Sequence, residues 1–406
     1  MRMLMKRGLA SLLGLATLGT VAVATAAPAQ AAVSDCPAGY FCAWTQEDAK
    51  GSMLKTKTNM ATMGSWGTRF GSYINRTSVY ACMYESSDYK AYNGYWSERP
   101  SSNGSWTTGP MFSLGSLKFV RTERECSQPA YPRWYSEPSP TAAGFGDMNS
   151  DRRADALVRD LVGRLWFLPG DATGRMIGSG GWNVMNALVR HGDFTGDARE
   201  DVVAREGATG RLWLYPGTGT GALGTRKLIG SGGWNGMSRI TGVGDLSRDG
   251  RADLVAVESS TGKLWLYPGT ASGGIGARKL LGSGGWTAMN ALVGAGDTNG
   301  DGRVDLIARE KSTGKLWFYP GNASGGIGAR KLIGSSGWNA MSTFLAVGDT
   351  TGDGRPDLST VTNSGYVIDG SSGHQGWLVG YRGVGTGGFA AGERHDSEWW
   401  GLNGAF

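Results

Sequence analysis

STGKLWFYPGNASGGIGARKLIGSSGW, residues 312–338, decides the fold, because the chain contains it almost twice. Residues 260–286 read STGKLWLYPGTASGGIGARKLLGSGGW, identical at 23 of 27 positions. Working outward, an acidic loop precedes each copy. DTNGDGRVD, Asp297 to Asp305, has four relatives in the chain: DMNSDRRAD, DFTGDARED, DLSRDGRAD and DTTGDGRPD. Their first aspartates stand at 147, 193, 245, 297 and 349, a spacing of 46 and then of 52 three times. A period near 50 with several short strands per unit is the signature of propeller-type architecture.

One unit can be read strand by strand. NALVGAG leads into the acidic loop, VDLIARE leaves it, and KLWFYPG and ARKLIGS follow. In KLWFYPG, Leu316 and Phe318 face one way while Trp317 and Tyr319 face the other, so both faces are apolar. A strand covered on both faces suits a blade held between neighbouring blades. By the same logic Trp166, Trp213, Trp265 and Trp317 are expected in the core. Aligning Trp400 with Trp338 sets Phe406 opposite Phe344, and the first unit begins at Ala143, opposite Leu345. The last segment is therefore expected to share a blade with the first unit and close a ring. A linear solenoid would instead need distinct capping repeats. The expected fold of residues 143–406 is a five-bladed β-propeller.

Composition limits the rest. The opening MRMLMKRGLASLLGLATLGTVAVATAAPAQA has a basic start, an apolar middle and a small-residue cleavage site, so residues 1–31 read as a secretory signal peptide. The expected location is outside the cell, with no membrane span, since no later stretch is long and apolar enough. The formal charge of +6 includes Arg2, Lys6 and Arg7 of that leader. What remains is too mild and dispersed to point to nucleic acid. Cys36, Cys42, Cys82 and Cys126 all precede residue 127, which places any disulfides in an N-terminal domain, residues 32–127. Cys36–Cys42 with Cys82–Cys126 is the favoured pairing, although four cysteines allow three connectivities. Four prolines between 128 and 142 suggest an extended, semi-rigid linker.

The acidic loops carry the expected chemistry. Calcium takes six to eight oxygens at roughly 2.3–2.6 Å. Aspartate stands at positions one, five and nine of every loop, and position three is a neutral oxygen donor. Position seven is an arginine whose carbonyl adds a fifth oxygen. The expected metal sets are Asp147, Asn149, Asp151, Arg153 and Asp155; Asp193, Thr195, Asp197, Arg199 and Asp201; Asp245, Ser247, Asp249, Arg251 and Asp253; Asp297, Asn299, Asp301, Arg303 and Asp305; and Asp349, Thr351, Asp353, Arg355 and Asp357. Position six is glycine at Gly250, Gly302 and Gly354 but Arg152 and Ala198 in the first two loops, so the last three are ranked the better sites. The competing reading is a metal-free Asx turn, in which aspartates bond nearby amides. A bound ion would be structural, because no loop has a base beside it.

These five units resemble the FG-GAP (VCBS-type) repeats of bacterial secreted proteins and the integrin alpha head. That resemblance implies a calcium-bound β-propeller used for adhesion or ligand binding. Integrin-type propellers have seven blades, and the five units here also suggest a comparison with five-bladed lectins. Trp182, Trp234, Trp286 and Trp338 follow GSGG or GSSG at 52-residue steps, which makes them candidate ligand-binding residues for a sugar. The bland alternative is a tryptophan wedged between blades.

Residues 36–126 carry CPAGYFCAW and VYACMYESSDY, two aromatic, alternating runs each followed by a polar turn. With INRTSVYACMYE between them, the region resembles the Streptomyces metalloproteinase inhibitor family, and the implied fold is a beta/gamma-crystallin-like Greek-key domain. Cys82–Met83 would correspond to the inhibitor's reactive bond, although the short disulfide-closed loop of that family is missing. TRFGSY (68–73) and MFSLGS (111–116) depart from crystallin-type calcium motifs, so no metal is expected in this domain. His191, His374 and His395 form no metal or nucleophile motif, and His191 reads as a surface residue at a strand end. The expected function is that of a secreted, non-enzymatic binding protein for an extracellular glycan, cell-wall polymer or protein. The alternative is an inhibitor of a secreted metalloprotease.

Overall fold

The computed structural model describes residues 33–67, 70–89, 95–100, 106–112, 114–126, 131–140, 145–161 and 163–406. The expected signal peptide lies outside them, as do parts of TRFGSY, MFSLGS and the linker. The described residues are built of β-strands and short 3-10 turns. None of their helices is long and apolar enough to cross a membrane.

Residues 145–406 form five four-stranded antiparallel sheets. The fourth shows the plan, with strands Met289–Gly296, Asp305–Glu310, Leu316–Tyr319 and Lys331–Gly334 hydrogen-bonded in that order. Ala308 pairs with Trp317 and Ile307 with Phe318. Five of the six residues in Asp305–Glu310 are buried, and the core clusters show why. Leu306 and Ala308 pack with Val255 and Leu266 of the third sheet, whereas Ile307 and Leu316 pack with Leu358 of the fifth. Alternate residues thus serve opposite neighbours, and the apolar cores lie between sheets.

The first sheet has only three strands of its own, Ala156–Asp160, Leu165–Leu168 and Arg175–Gly178. Leu402–Ala405 from the other end of the chain pairs with Ala156–Asp160 and completes it, as the alignment of Trp400 with Trp338 predicts. Backbone bonds from Leu157 N to Phe406 O (3.0 Å) and from Phe406 N to Leu157 O (2.8 Å) extend the seam.

Residues 131–140 are not the free linker that their prolines suggest. Trp134 is 1% exposed, donates from Nε1 to Ala154 O at 2.7 Å, and meets Trp399 edge to face at 5.7 Å. Ser136 N bonds Gly170 O in the first sheet's connection, and Glu137 N bonds Thr350 O at the fifth sheet. Arg133 N donates to Asp396 Oδ2, and Trp399 Nε1 donates to Arg133 O. Proline holds this segment extended, and the extended backbone is used as a strap across the seam where first and fifth sheets meet.

In the N-terminal region one sheet runs Met53–Thr56, Phe41–Trp44, Phe70–Asn75, Trp106–Phe112, and another runs Tyr95–Glu98, Tyr80–Tyr84, Ser116–Val120. Trp106–Phe112 leaves its own half to pair with Phe70–Asn75, and Met60 of the first half bridges to Leu117 of the second. That reciprocal exchange is Greek-key connectivity. Each sheet has its own disulfide, Cys36–Cys42 and Cys82–Cys126, the favoured pairing.

Candidate binding sites

The five acidic loops share one geometry. In the fourth, Asp297 Oδ1 accepts from Gly300 N (2.7 Å) and Asp301 N (3.0 Å), and Oδ2 accepts from Gly302 N (2.7 Å). Position nine is a buried bracket. Asp305, 1% exposed, accepts from Thr298 N and Oγ1 on Oδ2 and from Gly321 N on Oδ1, so it ties the loop to the turn after the third strand. Asp201, Asp253 and Asp357 bond Gly217, Gly269 and Gly383 in the same way. In the first loop Asp155 Oδ1 is buried with no hydrogen-bond partner. Burial pushes the Asp155 carboxyl up to about 8, and those of Asp201 and Asp253 up to about 6, against the lowering effect of their backbone amides.

Position five points outward. Asp197, Asp249, Asp301 and Asp353 each pair with the arginine two residues on, Arg199, Arg251, Arg303 and Arg355, at 3.6, 3.9, 2.5 and 3.7 Å. Position four, unnoticed in the sequence, is left-handed like position six. Gly300 and Gly302 take φ of 76° and 77° in the fourth loop, whereas Ser150 and Arg152 are forced to 66° and 69° in the first. The third loop has Arg248 at position four with φ 64°, so the backbone favours the fourth and fifth loops. The donor set is all oxygen, which suits a hard cation. As the loops stand, no group of three or more His, Cys, Asp or Glu side chains among the described residues converges to hold a metal.

The sugar reading of Trp182, Trp234, Trp286 and Trp338 is corrected by their placement. Trp234 and Trp286 are 7% and 8% exposed, and the other two are half-buried. Each ring lies against a tyrosine, Tyr215, Tyr267, Tyr319 or Tyr381, with centroids 4.5–4.8 Å apart. A Cβ on Gly282 would stand 2.1 Å from Trp286 Nε1, so the indole fits only over glycine. These tryptophans are wedges between sheets. The tryptophans expected in the core divide: Trp166 is buried, while Trp213, Trp265 and Trp317 are half-buried under Arg226, Arg278 and Arg330, each 4.0 Å from the ring centroid.

The proposed reactive bond is also corrected. Cys82 and Met83 are 0% exposed in the middle strand of their sheet, Met83 paired with Trp96 on one side and Leu117 on the other. A protease needs an extended, accessible segment, and this one already has both edges occupied. Nearby, Lys118 donates to Glu125 O at 3.1 Å, and burial pushes its ammonium down to about 8. The unfolded chain holds that proton up to about 10.4, so folding gains stability as pH rises from 8 towards 10. Lys118→Met is expected to raise the melting temperature at pH 7 by a few degrees, and the advantage should shrink by pH 10 in parallel melts.

His191 is no surface residue. It is 5% exposed, stacked on Phe145 at 3.7 Å, and burial lowers its imidazole to about 4. Beside it Arg190 and Glu200 form a buried ion pair, Nη2 to Oε2 at 2.8 Å. The signal was in the repeat: the third unit has Gly242, Val243 and Ala252 at the places of Arg190, His191 and Glu200.

No curated protein gives a significant match. Among solved structures, a lectin of Agrocybe aegerita, described as recognising non-reducing terminal N-acetylglucosamine, is 14% identical over 90% of this chain and 91% of its own, with a TM-score of 0.38. An auxiliary nutrient-binding protein of Bacteroides ovatus is 10% identical over 80% of this chain and 82% of its own, with a TM-score of 0.33. Regucalcin of Agrobacterium tumefaciens, a calcium-binding protein, is 13% identical over 59% of this chain and 85% of its own, with a TM-score of 0.29. Residues 29–97 match peptidase inhibitor family I36, and residues 193–256, 245–308 and 297–359 each match the FG-GAP-like repeat, so the chain joins an I36-type segment to FG-GAP repeats.

Proposed function

We propose that this is a secreted, non-enzymatic binding protein whose FG-GAP propeller is stabilised by calcium and recognises an extracellular glycan, cell-wall polymer or protein. The observation that carries the reading is the fivefold recurrence of one all-oxygen loop, with its position-one carboxylate turned inward and its position-five carboxylate on the surface. Calcium would be held by the aspartates of positions one, five and nine with the neutral oxygen of position three and the carbonyl of position seven. When bound it would supply charge neutralisation and cross-linking of each loop, with no part in a reaction. A ligand that binds only the folded state adds RT ln(1 + [L]/Kd), or ~2.7 kcal/mol per occupied site at ~100 Kd. Thermal melts of the full chain in chelator and in millimolar calcium are expected to differ by several degrees. Asp301→Asn should reduce that shift more than Asp151→Asn, because the first loop must force Ser150 and Arg152 into left-handed backbone. An unchanged melt sinks the metal reading.

The match to family I36 favours a second reading, inhibition of a secreted metalloprotease. With Cys82–Met83 buried, such inhibition would act through another segment. Residual activity of a thermolysin-type protease in a molar excess of the full chain separates the two.

A further inference from the structure

We infer that the cleft between the 131–140 strap and the fifth sheet is a saccharide-binding site, an assignment that rests on the binding-protein reading above. The fifth unit is where the repeat departs from itself. In the second, third and fourth sheets the paired residues Val203 and Leu214, Val255 and Leu266, and Ile307 and Phe318 fill the space beside the third strand. All six are at most 1% exposed. At the same register the fifth sheet has Ser359 paired with Gly380. The outer strand changes as well: KLIG or KLLG in the second to fourth sheets becomes ERHD, Glu393–Asp396, in the fifth.

Two large apolar side chains are thus replaced by a hydroxyl and a hydrogen at one seam only. Trp134 of the strap occupies the deep part of the gap, and the His395 imidazole, whose Nε2 a Cβ on Gly380 would meet at 2.4 Å, takes part of the space over the glycine. The remainder is an open cavity of about 400 Å³, with Leu378 and Trp134 at its floor and Tyr135, Glu137, His395 and Asp396 around it. It is the size of a small-ligand pocket, roughly 300–1,000 Å³. A second cavity of about 250 Å³ shares Thr350, Thr351 and His395 and continues towards Arg382 and Glu393.

The lining selects the ligand class. Tyr135 is 53% exposed, and its hydroxyl donates to Glu137 Oε1 at 2.9 Å, so the ring stands fixed at the mouth. The Arg153 guanidinium lies over the ring, 5.5 Å from its centroid, and the part of the ring left exposed offers apolar surface beside a polar tip. Carboxylates of Glu137 and Asp396 accept from vicinal hydroxyls, whereas Thr350, Thr351, Ser359 and His395 can both donate and accept. Arg133 and Arg382 offset two of the three carboxylates Glu137, Asp396 and Glu393, and the one net negative charge left disfavours an anionic ligand, so the cleft favours a neutral polyhydroxylated one. Two adjoining cavities accommodate more than one sugar ring. Among the described residues the four other sheets carry two large apolar side chains at this register, Leu157 and Phe167 in the first, so the site is proposed as single, unlike the repeated tryptophan sites expected from the sequence.

The test is titration of the full chain with soluble chito-, cello-, xylo- and mannooligosaccharides by calorimetry, with retention on the matching insoluble polymers alongside. At least one series is expected to bind. Tyr135→Ala and Glu137→Gln, both at the exposed mouth, should each weaken binding at least tenfold with an unchanged melting temperature. Gly380→Leu, which restores the side chain of the second and third sheets and must push His395 out into the cleft, should abolish it. Binding that survives all three variants overturns the cleft and leaves the binding-protein reading standing. Failure of every oligosaccharide in solution, with retention on a polymer intact, likewise overturns the cleft alone. No binding in either format overturns both.

Discussion

Replacing Glu200 by alanine is expected to destabilise the propeller by roughly 3–5 kcal/mol, the cost of removing one partner of a buried ion pair. Glu200 is 5% exposed and Arg190 7%. The carboxylate accepts from Arg190 Nε (3.2 Å) and Nη2 (2.8 Å), from His191 N (3.1 Å) and from Gly146 N (2.8 Å). Arg190 also donates to Asp155 O (2.8 Å) and Phe406 O (3.1 Å), which belong to the first sheet's loop and the returning end of the chain. The pair therefore binds second sheet, first loop and closing strand together at one point. Without Glu200 a guanidinium is left buried with only carbonyls. A melting temperature lower by roughly 10 °C follows from the scale for a domain of this size. The double variant Arg190→Gly with Glu200→Ala restores what the third unit carries at Gly242 and Ala252. It should recover much of the loss, because removing both charges relieves the desolvation that removing one exposes. Chemical denaturation of the wild type, both single variants and the double variant measures the coupling. Additive losses would show that the pair does not act as a unit.

Trp134→Ala has the second large effect, about 3–5 kcal/mol for deleting a buried tryptophan. Its ring sits in the cluster of Ala154, Val158, Leu168, Leu345, Leu378 and Trp399, drawn from both the first and the fifth sheets. Truncation empties that cluster and frees Ala154 O from its indole donor. Limited proteolysis reads the strap directly: cleavage between residues 131 and 140 should speed up by an order of magnitude or more in the variant, since protection scales with the opening free energy. If the segment were only a spacer, the variant would melt with the wild type and be cut at the same rate.

Much of the architecture could be read before any coordinates. The 52-residue period, the doubly apolar KLWFYPG strand and the match of Trp400 to Trp338 all report local pattern, and local pattern repeats when each unit makes the same contacts as the last. The left-handed turn at position six was legible because glycine marks it in three loops. Position four was missed because glycine stands there in only the second, fourth and fifth copies. Trp286 shows where such reading stops. GSGGW presents an indole after flexible glycines whether the ring is bare or covered, and only Tyr319 and Gly282, brought in from other strands, make it a wedge.

The chain by itself determined the unit, its strand order and the acidic loop, since these follow from periodicity and turn chemistry within about fifty residues. Tertiary structure alone decided what happens at the seam. Arg190 and Glu200 find each other ten residues apart, but their partners Gly146 and Phe406 come from both ends of the ring. Trp134 looked like part of a proline-rich spacer until Trp399 met it across 265 residues of chain. Ser359 and Gly380 read as ordinary small residues until their register beside Ile307 and Phe318 made their smallness a hollow. Closure joins parts of the chain that carry no common pattern, and the free energy of such contacts depends on which groups are buried together, a property no single segment holds.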